Sequence, residues 1–594
     1  MTTGPSLDDA RPDEPEAGGR RVHDPALAPS RAVAFTFDGI TVPAREGETL
    51  GAALAAANVV RFGTRGDGSP RGLWCGIGHC QECVVTVNGV ASLRACVTPV
   101  VEDAVVLSQS HRAPAPQRRA VATAPVAASE THRPQLLIIG AGPAGLAAAR
   151  AAAQCGVQVT LLDERSTAGG QYFKQVAKSH RVVDPSRMDA QAAKGRAVIA
   201  DVEALGVRIH HDAVVWGAFG PQELRATISG AQHLFSPERL IVACGAYERG
   251  VPVPGWTLPG YIATGAAQTL LRAYRVTPGR RVVVAGNGPL NLQLAAELVA
   301  AGVDVVAVVE ASARPGLGSS GAVLRAALTA PRLVLEGLGF LSRLWHAGVP
   351  VIHGSAVVEA HGEGRVEACT IARIDADGRV IAGTSRRHDV DTICAGYGFW
   401  PSNEIARALG CRHDVRPADG RLVTRTDADG ATSVAGVYAI GDGVTLIGAH
   451  AARSQGYIAG CAAAVSLGLA LPASVSAELR GARRNLARHL SFQRSLWRLF
   501  EAPALRAQLA STETLVCRCE SVSRAAIDAA IGEGARTPGA VKRRTRAGMG
   551  RCQGRYCEST IAAMVPVAPA VPRDELFALS PRAPIRPVRI GDIA

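Results

Sequence analysis

The 594-residue sequence lacks a long apolar run. It has no stretch of about 18 or more apolar residues, so it predicts no helix that spans a bilayer. The opening residues, 1–30, are polar and rich in Pro and Gly, and they lack the apolar centre of a signal peptide. We therefore expect a disordered leader over residues 1–30 and a cytoplasmic protein.

Aromatic residues are scarce, at 4% of the chain against 47% for all hydrophobic residues. Ala and 64 Gly residues supply much of the rest, which suits helices packed closely on sheets. The net charge of +13 lies largely in basic runs without interleaved aromatics, such as residues 479–490 and 541–551. We expect no nucleic-acid partner. The runs are either solvated surface or a docking surface for an acidic partner or an anionic cofactor.

The 14 cysteines do not predict disulfides, because disulfides are rare in a reducing compartment. Eight of them form two sets: Cys75, Cys80, Cys83 and Cys96, and then Cys517, Cys519, Cys552 and Cys557. The others lie mostly beside small apolar residues and are expected to be ordinary buried residues. They are Cys155, Cys244, Cys369, Cys394, Cys411 and Cys461.

The first cysteine set has the spacing C-x4-C-x2-C, with Cys96 following after 12 further residues. This order matches plant-type ferredoxins, which hold a 2Fe–2S cluster. Gly76 and Gly78 would let backbone amides wrap closely around the sulfides. Zinc is the alternative, but zinc ribbons pair two CxxC-like knuckles. Residues 33–60 read as strand, turn, strand and helix, which agrees with a β-grasp domain.

The second cysteine set consists of a CxC pair and, after 32 residues, a CxxxxC pair. On geometry alone, four thiolates could hold zinc or a 2Fe–2S cluster. The segments "LVCRCESVSRAAIDAAI" and "TRAGMGRCQGRYC" resemble the bacterioferritin-associated-ferredoxin type of 2Fe–2S domain. That resemblance implies that all four cysteines are ligands. A helix start and Arg551 would offset the negative charge of the cluster.

A glycine motif marks the first nucleotide-binding unit. Gly140, Gly142 and Gly145 follow the apolar strand "LLII" and open an Ala-rich helix. A second strand ends about 20 residues later at Asp163-Glu164, as in dinucleotide-binding βαβ units. The helix amino terminus would face a pyrophosphate, and an acid would bind the ribose hydroxyls. The spacing favours Asp163 and leaves Glu164 open.

Two further sequence motifs indicate which nucleotide the first site would bind. Gly170 and Gln171 follow the second strand, and Gly441 and Asp442 lie between a later strand and helix. With the first motif, they resemble the two-dinucleotide-binding-domain flavoproteins. That resemblance implies FAD, with Asp442 contacting the ribityl chain.

A second βαβ unit begins at residue 280 and carries Gly286 and Gly288, but Asn291 replaces the third glycine. Glu310 ends its second strand and would suit a ribose diol, hence NAD over NADP. A bound nicotinamide nucleotide and a retained scaffold both stay open. No Cys pair follows either glycine motif, so a disulfide reductase is not expected.

Residues 33–565 together resemble the A or α subunits of opine oxidases, hydrogen cyanide synthase and related amine dehydrogenases. The matching segments include "GLWCGIGHCQECVVTVNGVASLRAC", "GNGPLNLQLAAELVAAG", "GYGFWPSNEIARALGC" and "TRAGMGRCQGRYC". The resemblance implies an FAD-dependent β subunit of the D-amino-acid or glycine oxidase type, which oxidises the substrate. It also implies an FMN between subunits, and in some relatives a nucleotide other than FAD in the first site. The electron acceptor would be a quinone or a carrier protein, through which the protein would associate peripherally with a membrane.

The predicted fold class is α/β: a two-dinucleotide-binding-domain (Rossmann-like) flavoprotein core flanked by an amino-terminal β-grasp ferredoxin-like domain and a small carboxyl-terminal α-helical 2Fe–2S domain. After the leader, the predicted domains are the ferredoxin-like domain (31–111), a linker (112–133), the FAD-binding domain (134–265 and 385–470), the NAD-binding-like domain (266–384), a basic helical connector (471–511), the second 2Fe–2S domain (512–565) and a tail (566–594).

We expect the electron-transfer subunit of a multi-subunit amine or imino-acid dehydrogenase or oxidase, of opine, proline or glycine type. Electrons would pass between two unlike clusters across the nucleotide-binding core. The alternative is a self-contained NAD(P)H-dependent reductase. No catalytic acid–base constellation stands out, so the catalytic residues are unknown. His450 is expected to be structural, and Tyr247 and Trp400 to be packing residues.

Overall fold

The computed structural model describes residues 19–110, 130–417, 419–566 and 574–588. Residues 1–18 of the predicted leader lie outside the described part of the chain. Residues 19–30 contradict the prediction of a disordered leader, because they pack on the core. Strand β1 (Leu27–Pro29) pairs antiparallel with His180–Val182 of the core, and the side chain of Arg20 is buried. Ala26 is also buried. The partner strand lies far away in sequence, so local composition did not reveal this packing.

The amino-terminal domain contains a five-stranded mixed sheet and one helix, which agrees with the β-grasp prediction, together with a separate two-stranded sheet. Its elements are β2 (Ala32–Phe37), β3 (Ile40–Arg45), α1 (Leu50–Ala56), β4 (Arg61–Thr64), β5 (Pro70–Gly72), β6 (Val84–Val87), β7 (Val90–Arg94) and β8 (Val105–Ser108). The sheet order is β3-β2-β8-β6-β7, with β2 and β8 parallel. Thr49 caps α1 by accepting a hydrogen bond from the Ala52 amide at 3.3 Å.

The first nucleotide domain contains a five-stranded parallel sheet in the order β13-β11-β10-β17-β30. Its elements are β9 (Glu130–His132), β10 (Leu136–Ile139), α2 (Pro143–Gln154), β11 (Val159–Leu162), β12 (His180–Val182), α3 (Ala190–Ala204), β13 (Arg208–His210), β14 (Ala213–Gly220), β15 (Glu223–Ile228), β16 (Ala231–Phe235), β17 (Arg239–Val242) and β18 (Ala246–Glu248), and later β30 (Val437–Ala439) and α9 (Gly448–Ser466). Most of the predicted linker lies outside the described residues. Its last residues form β9, which pairs with β16, so the core begins earlier than predicted.

A second parallel sheet has the order β19-β26-β20-β21-β22. Its domain consists of β19 (Tyr261–Ala263), α4 (Thr264–Tyr274), β20 (Arg281–Gly286), α5 (Pro289–Ala300), β21 (Asp304–Glu310), α6 (Ser320–Thr329), α7 (Pro331–His346), β22 (Val351–His353), β23 (Ser355–His361), β24 (Ala368–Arg373), β25 (Arg386–Asp389), β26 (Thr392–Gly396) and β27 (Phe399–Pro401). The predicted boundaries at 266 and 384 are therefore too narrow, because β19 and β26 belong to this sheet.

The remaining elements are α8 (Glu404–Ala408), β28 (His413–Val415), β29 (Leu422–Thr424), α10 (Ala473–Leu499), β31 (Leu515–Cys517), β32 (Val522–Ser523), α11 (Arg524–Gly532), α12 (Pro538–Thr545) and α13 (Glu558–Met564). The described part of the tail packs on the core: the Ile585 amide donates to the Trp216 carbonyl at 2.7 Å, and the Ile585 side chain is buried. Among the described residues, none of the helices is both long and apolar enough to cross a membrane.

The contact between α2 and α9 depends on glycine. A Cβ on Gly456 would lie 2.1 Å from the Ala144 carbonyl oxygen, and one on Gly460 would lie 2.3 Å from that of Ala148. Distances this short cannot be relieved by a side-chain rotation, because the opposing atoms belong to the backbone of α2.

We predict that Gly456→Ala lowers the thermal unfolding temperature of the core. Separating the two helices by the width of a methyl group should cost about 1–3 kcal/mol or more. Gly481→Ala on α10 is the matched control, because no atom lies within 4 Å of its added Cβ. This control should be neutral or stabilising by up to about 1 kcal/mol. Equal unfolding temperatures in circular dichroism for the two variants would contradict the prediction.

Candidate functional site

The first glycine loop is shaped by close backbone contacts. Gly140 has φ 106°, and a Cβ there would lie 2.4 Å from the Ala243 carbonyl oxygen. A Cβ on Gly145 would lie 1.9 Å from the carbonyl oxygen of Gly140, so only glycine lets α2 begin this close to the loop. Gly142 and Gly170 face each other, and a Cβ on Gly170 would lie 2.7 Å from the Gly142 Cα. The loop thus has the tight turn and exposed backbone that a pyrophosphate site needs.

The two acids left open by the sequence have different partners. Asp163 is buried, and its carboxylate accepts hydrogen bonds from the amides of Ala141 at 2.6 Å and Arg165 at 2.9 Å. Burial raises the pKa of Asp163 to about 6. Asp163 therefore fixes the glycine loop, which leaves Glu164 as the more exposed acid beside it.

Glu164 links three parts of the chain. Its carboxylate lies 2.8 Å from His79 Nε2, in the first cysteine loop, and 3.6 Å from Arg586 of the tail. Burial would raise the pKa of Glu164, but the charges of Arg586 and His79 hold it well below its usual range. Neither partner could be identified from sequence motifs, because both lie in distant segments.

The last predicted nucleotide motif, Gly441-Asp442, lies beside the start of α2, since a Cβ on Gly441 would lie 3.1 Å from the Ala144 Cβ. The Gly441 amide donates to Gln455 Oε1 at 2.8 Å, and Asp442 Oδ1 accepts from the amides of Ile447 at 2.8 Å and Gly448 at 3.0 Å. Asp442 is thereby held at the start of α9, where it lines a large cavity in the core.

His450, inside α9, also lines this cavity and is tied into the structure. Its Nε2 lies 3.1 Å from the Tyr172 hydroxyl, and its ring stacks on the ring of His489 with the two ring centres 4.9 Å apart. Burial, together with the neighbouring charges, lowers the pKa of His450 to about 4, so the imidazole is neutral at pH 7. Tyr247 and Trp400 are buried partners on β18 and β27.

One cavity of about 880 Å³ brings most of these residues together. A volume of this size fits a nucleotide cofactor. Two buried groups in its wall escaped the sequence analysis: burial lowers the pKa of Lys174 to about 7 and raises that of Glu248 to about 7. Both can exchange protons near neutral pH. The sequence-predicted residues in the lining are Gly140, Gly142, Asp163, Glu164, Gly170, Gln171, Glu310, Gly441 and Asp442.

The second glycine loop is differently placed: Gly286 and Gly288 do not line the cavity. The ring of Trp497, on α10, lies 3.4 Å from where a Gly288 Cβ would be, and the Asn287 amide side chain donates to the Phe500 carbonyl at 2.9 Å. The buried Glu310 carboxylate accepts from the Gly288 amide at 3.0 Å. The end of α10 therefore covers this loop.

Asn291 stands where the third glycine of the second motif would be. Its side chain is buried, accepts a hydrogen bond from the Thr264 hydroxyl at 2.9 Å and donates to the Gly396 carbonyl at 2.9 Å. The side chain thus ties α5 to α4 and β26, which gives it a structural reason independent of any ligand.

The first cysteine set forms a buried thiol site with amides directed at sulfur. The Cys80 amide lies 3.3 Å from Cys75 Sγ, and the Glu82 amide lies 3.5 Å from Cys80 Sγ. Burial opposes ionisation of Cys75, but hydrogen bonding with Cys80 and the charge of His79 lower its pKa to about 5. Gly76 and Gly78 have positive φ, as the close wrapping of the loop requires. The site fits a metal cluster held by thiolates, which must be deprotonated to bind.

The second cysteine set also converges. Cys519 Sγ lies 3.4 Å from Cys552 Sγ and 3.9 Å from Cys517 Sγ, and the Gly548 amide donates to Cys517 Sγ at 3.5 Å. Tetrahedral metal–sulfur bonds of about 2.3 Å separate sulfurs by about 3.8 Å, so these distances suit a metal centre. A Cβ on Gly550 would lie 2.5 Å from Cys519 Sγ. Cys557 immediately precedes α13.

The two cysteine sets are neighbours, which corrects the expectation that the core separates them. Trp74 precedes Cys75, and Tyr556 precedes Cys557. The rings of Trp74 and Tyr556 pack edge to face, with their centres 4.4 Å apart. A small gap beside these rings is lined by Cys80 of the first set and by all four cysteines of the second, which are Cys517, Cys519, Cys552 and Cys557.

A buried ion-pair network joins the two loops. Glu82, between Cys80 and Cys83, pairs with Arg65 and, at 3.1 Å, with Arg518, which lies between Cys517 and Cys519. Burial would raise the pKa of Glu82, but the two arginines hold it at about 2. The sequence analysis assigned the charge-offsetting role to Arg551 and missed Arg518, although its place within the CxC pair was visible.

Comparison with protein families defines the class of this protein. Residues 134–456 match the pyridine nucleotide-disulphide oxidoreductase family, residues 30–111 a 2Fe-2S iron-sulfur cluster binding domain, and residues 515–565 a BFD-like [2Fe-2S] binding domain. The chain is thus a pyridine nucleotide-disulphide-type oxidoreductase with two 2Fe–2S-binding domains and a site for FAD or another nucleotide.

Individual relatives show more closely which family the chain belongs to. The chain is 33% identical to the HcnB component of hydrogen cyanide synthase from Pseudomonas protegens, over 76% of this chain and 96% of the relative. It is 31% identical to an opine oxidase subunit of Agrobacterium tumefaciens, over 77% and 91%. The chain belongs to the family of these hydrogen cyanide synthase and opine oxidase subunits. The L-proline dehydrogenase of P. horikoshii shares its fold with a TM-score of 0.68 at 20% identity, covering 95% of this chain and 98% of that one.

We predict that NADH does not rapidly bleach the flavin of the purified protein under anaerobic conditions. Trp497 lies against Gly288 and the Phe500 carbonyl accepts a hydrogen bond from Asn287, so the end of α10 contacts the second glycine loop, which a pyrophosphate would need. Stopped-flow absorbance measures the rate, and dithionite is the positive control for a reducible flavin. Bleaching by NADH within the mixing time would instead favour the self-contained NAD(P)H-dependent reductase.

Proposed function

We propose that this chain is the electron-transfer subunit of a multi-subunit amine or imino-acid dehydrogenase or oxidase. The observation that carries the proposal is the arrangement of its three sites. The first cysteine loop lines the nucleotide cavity through Ile77 and His79, and it meets the second loop through Trp74 and Tyr556. Such a row of adjacent sites is suited to moving electrons through the chain.

In this proposal, a defined set of residues would bind the cofactor of each site. The glycine loop at Gly140, Gly142 and Gly145, with Asp163, Glu164, Gly170, Gln171, Gly441 and Asp442, would hold FAD or another adenine nucleotide. Cys75, Cys80, Cys83 and Cys96 would hold one 2Fe–2S cluster, and Cys517, Cys519, Cys552 and Cys557 the other. A flavin would convert two-electron into one-electron transfer, and the clusters would carry single electrons. Gly286, Gly288 and Glu310 would be scaffold.

The substrate would be oxidised on a partner subunit. Relatives of this chain are subunits of a hydrogen cyanide synthase, of an opine oxidase and, over 32% of the relative's length, of a sarcosine oxidase from Corynebacterium. We infer a partner of the FAD-dependent D-amino-acid or glycine oxidase type, with FMN between the subunits. A quinone or a carrier protein would accept the electrons, and through it the protein would associate with a membrane. The basic runs would be docking surface.

The chain purified alone should not dehydrogenate opines, proline derivatives or sarcosine, because the proposal places substrate oxidation on the partner. Anaerobic purification, followed by quantification of iron, sulfide and flavin and by mass spectrometry of co-purifying proteins, identifies that partner. Its addition should restore turnover. Robust turnover by the chain alone would contradict the proposed division of labour.

Each cysteine set should account for its own cluster. Cys80→Ser should remove one 2Fe–2S signal from the electron paramagnetic resonance spectrum of the reduced protein, and Cys519→Ser the other, because each removes one thiolate ligand. Cys155→Ser is the matched control, since this thiol lies in the core outside both sets. It should keep both signals. Loss of both signals in the control, or retention of both in either test variant, would contradict the assignment.

A further inference from the structure

Arg518 and Glu82 form a direct charged contact between the two cysteine loops. Arg518 lies inside the CxC pair of the second set, and Glu82 lies between two cysteines of the first. Their side chains are 6% and 2% exposed, and the guanidinium and carboxylate approach to 3.1 Å. Each charge therefore belongs to one loop by covalent structure and touches the other loop through space.

The surroundings of Arg518 hold its guanidinium in place. The guanidinium carbon lies 4.7 Å from the ring centre of Trp74 and 4.7 Å from that of Trp256. A guanidinium nitrogen also donates to the Trp256 carbonyl at 2.6 Å. Cation–π contacts of this kind favour a desolvated Arg over other cations. The charge is thus fixed between the rings and has little freedom to move away when a neighbouring site gains an electron.

The network carries a net positive charge. Glu82 also pairs with Arg65, which donates to the Thr257 carbonyl at 3.1 Å. Two guanidinium groups therefore face one carboxylate in a region excluded from water. Charges in such a region are screened much less than surface charges, so they act on both cysteine sites.

We propose that Arg518 and Glu82 are positioning residues that jointly set the reduction potentials of both cluster sites. This inference rests on the proposed function, because it requires both cysteine sets to hold clusters. One-electron reduction adds a negative charge to a cluster. A fixed cation nearby favours the reduced form, and a fixed anion disfavours it. Since the pair joins the loops, a change at either residue acts on both sites.

The test is a redox titration of the anaerobically purified chain, monitored by electron paramagnetic resonance. Arg518→Gln should make both clusters harder to reduce, by about tenfold in the reduction equilibrium, which is about 59 mV for one electron. Glu82→Gln should shift both clusters in the opposite direction. Arg518→Lys should retain most of the wild-type potentials because it keeps the charge.

Arg546→Gln is the matched control. Arg546 pairs with Glu520, next to Cys519, at 3.0 Å, but its side chain is 69% exposed and the pair does not reach the first loop. It should leave the potential of the first cluster unchanged. Iron and sulfide content are measured for every variant.

Two outcomes overturn the inference alone: unmoved potentials in both Arg518→Gln and Glu82→Gln, or a shift confined to the cluster whose own loop was changed. If Arg518→Gln loses its clusters, Arg518→Lys and Glu82→Gln decide the question. Wild-type protein without two clusters would overturn the proposed function, and this inference with it. Iron content therefore tests the function, and the potentials test the electrostatic link.

Discussion

Glu82 is a buried carboxylate at the point where three domains meet, and the arrangement of the candidate sites depends on neutralising it. Its partners are Arg65 of its own domain and Arg518 of the carboxyl-terminal domain. Loss of a partner from a buried ion pair costs about 3–5 kcal/mol. The Trp256–Thr257 backbone of the core completes the network by accepting hydrogen bonds from both arginines. These ion pairs and hydrogen bonds hold both cysteine loops against the core.

The same docking places the first cysteine loop in the wall of the nucleotide cavity. His79 of that loop lies 2.8 Å from the carboxylate of Glu164, which follows β11, and Arg586 of the tail pairs with the same carboxylate at 3.6 Å. The cavity is therefore built from segments that are hundreds of residues apart. The two glycine loops of the core share a sequence pattern but differ in access, since α10 covers the second loop through Trp497. Related βαβ units can thus have different uses in one chain.

Features with a local cause were predicted correctly from the sequence. The first strands and helix of the β-grasp domain, the parallel strands formed by the apolar runs and the tight turn at Gly140 each follow from neighbouring residues. Pairings over long sequence separations were missed, among them β1 with β12, β9 with β16, and Ile585 with Trp216. Domain boundaries drawn by composition were misplaced for the same reason, because β19 and β26 are assigned by the strands they pair with.

The sequence by itself determined the chemistry of the candidate sites: thiolates at two fixed spacings, two glycine loops and the acids that follow them. The residues of each pattern lie within 40 positions of one another in the sequence. Only the tertiary structure decided that the two cysteine sets are neighbours, that Asp163 fixes its loop while Glu164 faces His79, and that Asn291 ties α5 to its sheet. Those outcomes follow from burial and charge pairing between distant segments, which local spacing does not specify.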